Sequence, residues 1–110
     1  MKTSSAKAKG RSLQNLLLNK LKASFPNVQN DIRCAIMGES GTDIKMGQLA
    51  HQEIPYSFEC KNQEHLNIWD SLKQCEANKQ GEDVPILVFK RNRSEVYACL
   101  PLDDLMKLLK

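Results

Sequence analysis

A chain of 110 residues, 41% apolar and 26% charged, has the size and balance of one globular domain around one core. No apolar run approaches the ~20 residues of a membrane span, and no secretion-signal core follows the basic start, so a cytoplasmic location is expected. The net charge of +3 is uneven: Lys2, Lys7, Lys9, Arg11, Lys20 and Lys22 give residues 1–30 a charge of +6 with no acid, leaving −3 on the other eighty. Such a basic start suits a polyanion such as nucleic acid, or is simply a solvated tail.

Residues 1–10 are small, polar and basic, and are expected to form a flexible arm before a single domain over 11–110. Leu13, Leu16, Leu17, Leu21 and Phe25 recur at helical spacing, which predicts a helix over 11–25 with Ser12 as N-cap and Pro26 as its stop. Ile32–Ile36 and Thr42–Met46 alternate, and the turn between them holds Gly38 and Gly41, so a hairpin is predicted. Residues 47–54 connect, with a helical turn around Leu49, to a strand over Pro55–Lys61. A helix over His65–Lys79 follows, with Leu66, Trp69, Leu72 and Cys75 on its apolar stripe and Gly81 as its end. Val84–Phe89 reads as a strand covered on both faces, Glu95–Leu100 as its hairpin partner, and Asp103–Lys110 as a closing helix with Leu102, Leu105, Met106 and Leu109 inward. The expected architecture is a single-domain α/β fold, a central mixed five-stranded sheet flanked by helices in the order α-β-β-β-α-β-β-α. The helix before the fourth strand implies that strands three and four are parallel. Cys34, Cys60, Cys75 and Cys99 form no Cys-x-x-Cys pair and read as reduced core residues.

The chemistry concentrates between Ser40 and Lys61. Residues two apart on a strand share a face, so Glu59 and Lys61 lie side by side with Ser57, while Tyr56, Phe58 and Cys60 point the other way. Asp43 follows the glycine turn on a neighbouring strand. Two carboxylates, with the backbone carbonyl of Cys60 as a third oxygen, make a donor set for Mg²⁺ or Mn²⁺. An adjacent lysine can orient or deprotonate a water, or hold a phosphate. The plainer alternative is an ion pair of Glu59 with Lys61 or Lys45.

The arrangement Asp43 … Glu59-Cys60-Lys61, with its flanking helices, resembles the PD-(D/E)XK nuclease superfamily. More closely, it resembles the small Holliday-junction-resolvase-like endonucleases of phages and archaea. The resemblance covers Gly10 to the end and implies a restriction-endonuclease-like fold and metal-dependent cleavage of DNA. It also implies a first-helix residue near the metal. Gly10-Arg11-Ser12-Leu13-Gln14 matches that motif with an amide, Gln14, in place of the usual glutamate, which favours one metal over two. Thr42 stands where the family usually has proline. A polar residue on the following helix often points back to the site, and Gln74 is the candidate.

Candidate DNA contacts are Lys7, Lys9, Arg11, Lys45, Asn62, Arg91 and Arg93, since phosphate contacts dominate protein–DNA interfaces. His65 reads as a helix cap, Asp31 as the end of a connection, and Trp69 as core or a dimer contact. The leading expectation is a Mg²⁺- or Mn²⁺-dependent endodeoxyribonuclease acting on branched or duplex DNA. Two symmetric cuts imply a homodimer. The alternatives are an inactive DNA-binding module of the same fold, and a protein-interaction domain.

Overall fold

The computed structural model describes residues 3–110. Helix α1 spans Thr3–Ser24. Alanine and lysine favour helix, and nothing breaks the run before Gly10. Residues 3–10, expected as a free arm, therefore form the opening turns of α1, and Ser12 lies inside the helix rather than capping it; Met1 and Lys2 fall outside the described residues. Leu13 and Leu21 are buried, with Leu17 and Leu18 half-buried beside them. Pro26 stops the helix as expected and opens a 3₁₀ segment, Pro26–Asp31, that the apolar pattern did not signal.

Strands β1 (Ile32–Cys34) and β2 (Ile44–Met46) form the expected antiparallel hairpin, with Cys34 opposite Ile44. Helix α2 (Gln48–Glu53) fills the connection to β3 (Tyr56–Asn62). Helix α3 runs Ile68–Asn78, three residues shorter at its start than expected, because the Asn67 side chain accepts the Asp70 amide at 3.1 Å and caps it there. His65 therefore precedes the helix. Strand β4 (Val84–Lys90) lies parallel to β3, as the crossover helix implied, and β5 (Tyr97–Cys99) runs antiparallel on the outer edge of β4. Helix α4 (Leu102–Leu109) closes the chain.

The core lies between α1 and β3. Leu13, Val28, Ile32, Ile44, Ala50, Ile54, Phe58, Cys60 and Val88 pack there, while α3 covers the opposite face of β3 and β4. The result is a compact α/β domain, with one difference from the single five-stranded sheet expected. Strands β1 and β2 form one sheet and β3, β4 and β5 another. Between β2 and β3 the ladder is reduced to one backbone bond, Asp43 N–H to the Phe58 carbonyl at 3.0 Å.

Two core expectations fail. Trp69 is 79% exposed, which excludes the core reading of that residue but not the dimer contact. The inward residues of α3 are Ser71 and Cys75, and two helical steps from Ser71 turn Trp69 about 200° away, to solvent. Helix α4 buries no residue: Leu102, Leu105, Met106, Leu108 and Leu109 are all exposed, because α4 follows the edge strand and leaves the sheet. Among the described residues no helix is long and apolar enough to cross a membrane.

Candidate carboxylate–lysine site

The break between the two sheets is where the site forms. Asp43 ends the hairpin loop, and its amide and carbonyl are both engaged, to Phe58 and to the Ala35 amide (2.8 Å). Its carboxylate accepts the Cys60 amide at 2.7 Å, in the place a neighbouring strand's carbonyl would take. The N–H and C=O of one strand residue point to the same side, so the Cys60 carbonyl also faces this edge. The carboxylate thus patches the sheet and is held in one position by doing so.

Glu59 lies on the α3 side of β3 and is 4% exposed. Its Oε1 accepts from Asn78 Nδ2 at 3.2 Å. Its Oε2 is fully buried with no hydrogen-bond partner among the described residues. A buried carboxylate oxygen without a donor is costly unless something cationic or protonic meets it. Burial, and then the nearby Asp43 charge, push the Glu59 carboxyl up to about 7, against the smaller opposing pull of Asn78 and of Lys61 and Lys45. Burial also raises the Asp43 carboxyl, opposed by the Cys60 amide, Lys61 and Lys45. The Asp43 and Lys61 charges thus act on the Glu59 carboxyl in opposite directions, and Lys61 is partly accessible.

Gln14, Arg11, Gly10 and Lys7 of α1 line an open cleft of about 550 Å³ together with Asp43 and the hairpin loop. Lys9 approaches the end of β3, where its carbonyl accepts from Asn62 Nδ2 at 3.2 Å; the Asn62 amide thus ties α1 to the strand. The structure separates the other candidates. The Lys45 ammonium braces the hairpin loop at the Ser40 carbonyl. Gln74 is exposed and makes no side-chain hydrogen bond among the described residues; Asn78, one turn later, is the α3 residue that reaches the site. Arg91 and Arg93 are exposed on the β4–β5 turn, outside the residues that line the cleft, with Arg93 in the left-handed region at φ 60. The plain Glu59–Lys61 or Glu59–Lys45 ion pair does not form.

Asp43, Glu59 and the Cys60 carbonyl are hard oxygens of the kind a divalent cation takes, and the orphaned Glu59 oxygen lacks a positive partner. Among the described residues no three His, Cys, Asp or Glu side chains group as metal ligands. No protein-family model, no curated protein and no solved structure matches the chain.

A second polar cluster was not anticipated. Asp83, buried in the loop before β4, accepts the Ser57 hydroxyl at 2.8 Å through one oxygen and holds His51 Nε2 at 2.6 Å through the other. Ser57 in turn accepts the Gln80 amide at 2.9 Å. Serine and histidine both face the aspartate, not each other, so the imidazole does not contact the hydroxyl as a Ser–His nucleophile requires. The cluster fastens α2, β3 and the α3–β4 loop. His51, Ser57 and Asp83 carry no local sequence signal, being 26 and 32 residues apart across their bonds. Cys60 and Cys75 are buried free thiols, Cys34 and Cys99 half-buried ones, as expected for reduced core cysteines. Burial pushes the Cys75 thiol up to about 12 and raises the Cys60 thiol further, which keeps both inert.

Proposed function

We propose that the chain is a metal-dependent endodeoxyribonuclease with a restriction-endonuclease-like core, acting on branched or duplex DNA. The single observation that carries this reading is the buried Glu59 oxygen with no partner, beside a second fixed carboxylate and a lysine. When it ionises, this acid leaves a buried oxygen that a cation would satisfy. Bound Mg²⁺ or Mn²⁺ supplies activation of water and charge neutralisation at phosphorus. Asp43, Glu59 and the Cys60 carbonyl would hold it. Asp43 is positioned by the Cys60 amide and Glu59 by Asn78, so neither has to reorganise on binding. Lys61, whose charge acts on both carboxyls, would orient the attacking water or hold a non-bridging phosphate oxygen. Gln14 offers an amide at the cleft instead of a third carboxylate, which suits one metal. Lys7 and Arg11 on the cleft wall attract the DNA backbone, and Arg91 and Arg93 offer further phosphate contacts.

The exposed face of α4 supports action as a pair of chains. An antiparallel pairing centred between Leu105 and Met106 sets Leu102 against the partner's Leu109 and Leu105 against the partner's Met106. One helix thus meets its own copy with matched apolar positions, the requirement of a two-fold contact. Cleavage of labelled junction and duplex DNA with Mg²⁺ and with EDTA tests the activity. Metal-dependent cutting that Glu59→Gln and Lys61→Ala abolish is the expected outcome. DNA binding without cutting on every substrate would favour the inactive-module reading, motivated by Gln14.

A further inference from the structure

The loop from Ala35 to Asp43 is braced more heavily than its length requires. Ile36 to Glu39 is a β-turn, closed by the Glu39 amide on the Ile36 carbonyl at 3.0 Å, with Gly38 at φ 84 in the third position as a type II turn needs. The Glu39 carboxylate receives the Ile36 amide at 3.0 Å and both terminal nitrogens of Arg33 at 2.9 and 2.8 Å. On the other leg, Lys45 reaches the Ser40 carbonyl. Gly41, at φ 92, leaves that ammonium room: a Cβ there would lie 2.9 Å from it.

This bracing holds two apolar side chains out in water. Ile36 is 70% and Met37 77% exposed. Turn corners are ordinarily glycine, proline or small polar residues. The fold buries neither side chain, and both lie on the wall of the cleft that also holds Asp43, Gln14, Arg11 and Lys7. An apolar tip on the same cleft as Lys7 and Arg11 matches a ligand with an anionic backbone and flat apolar faces. Nucleobases beside phosphates have that chemistry. Aliphatic wedges of this type are inserted between base steps by proteins that kink or open a duplex.

We propose that Ile36 and Met37 form a preformed wedge that packs against bases at an unstacked step of DNA, while Lys7 and Arg11 hold the flanking phosphates. The wedge makes the chain select DNA already opened at a branch, where unstacking is least costly, over continuous duplex. This rests on the nuclease reading and adds its substrate class.

The test uses a four-way junction carrying 2-aminopurine at the branch, and the full chain with Glu59→Gln so that binding is not followed by cutting. Binding is expected to raise the 2-aminopurine fluorescence. Adding Ile36→Ser and Met37→Ser should remove that rise and lower the junction-over-duplex affinity ratio about tenfold, the scale of one lost stacking contact. Both side chains are exposed, so the melting temperature should not fall, and Ile36→Leu with Met37→Leu should restore the signal. A serine variant that binds the junction with the same fluorescence rise and ratio overturns the wedge and leaves the nuclease reading standing. Equal loss of junction and duplex affinity also overturns it, since the tip would then be a general contact. A wild-type chain that neither binds nor cuts any DNA overturns both.

Discussion

Glu59 carries opposing demands. Its carboxyl is buried, pushed up to about 7, and one oxygen has no partner. Folding therefore favours the protonated acid. That contribution is complete below the ordinary value of 4.5 and is lost as pH rises through about 7, where the unfolded chain ionises freely and the folded one resists. The loss is on the order of 2–3 kcal/mol. Glu59→Gln keeps an acceptor for Asn78 and removes the charge. It should melt about 5–10 °C above the wild type at pH 8 without metal, and close to it at pH 4. Magnesium should raise the wild-type melting temperature and leave that of the variant unchanged. A variant less stable than wild type at pH 8 would mean that the ionised acid is already satisfied by the protein. Destabilised machinery of this kind is the usual trade between stability and activity.

At the scale of elements, the site depends on a sheet that is incomplete between β2 and β3. Asp43 supplies a bond that the ladder lacks, and its side chain is thereby aimed along the β3 edge. The parity of Glu59 and Lys61 was legible from sequence, because a strand's two-residue period is fixed. The parallel pairing of β3 and β4 followed from the helix between them. What was not legible depended on partners distant in sequence. Asn78 and Gln74 lie one turn apart on α3, and only the helix's true start at Ile68 and its placement decide which meets Glu59. The long α1 was missed because small polar and basic residues read as tail when no apolar stripe marks them. The Asp83 cluster has no period at all. It should be structural: Asp83→Ala leaves Ser57 and His51 without their acceptor and should cost about 2–4 kcal/mol in urea unfolding. Cleavage per folded molecule should stay within about twofold, since Asp83 lies outside the site; a loss of turnover with intact folding would place it in the mechanism.

Across the whole molecule, the basic residues of α1 and the leucines of α4 lie apart. Lys7, Lys9 and Arg11 lie along α1 near the cleft, whereas the exposed leucines lie on α4 after the outer edge strand. In the proposed function the α1 side would face DNA and α4 a second copy of the chain. The α4 pairing predicts a result in sedimentation. Leu105→Lys and Met106→Lys chains should each be monomeric at concentrations where wild type dimerises, because each puts a charge at the centre of the apolar seam. Unaltered association of both variants, or a wild type monomeric at every concentration, would remove α4 as the contact.

In the proposed function Asp43, Glu59 and Lys61 cut DNA with a divalent metal. The most direct measurement follows a labelled four-way junction and its matching duplex, incubated with wild-type and Glu59→Gln chains in Mg²⁺ and in EDTA. Cleavage by the wild type in Mg²⁺ alone, with loss of at least about a hundredfold in the still-folded variant, is the predicted result. Cleavage by Glu59→Gln at the wild-type rate, or by the wild type in EDTA, would contradict it.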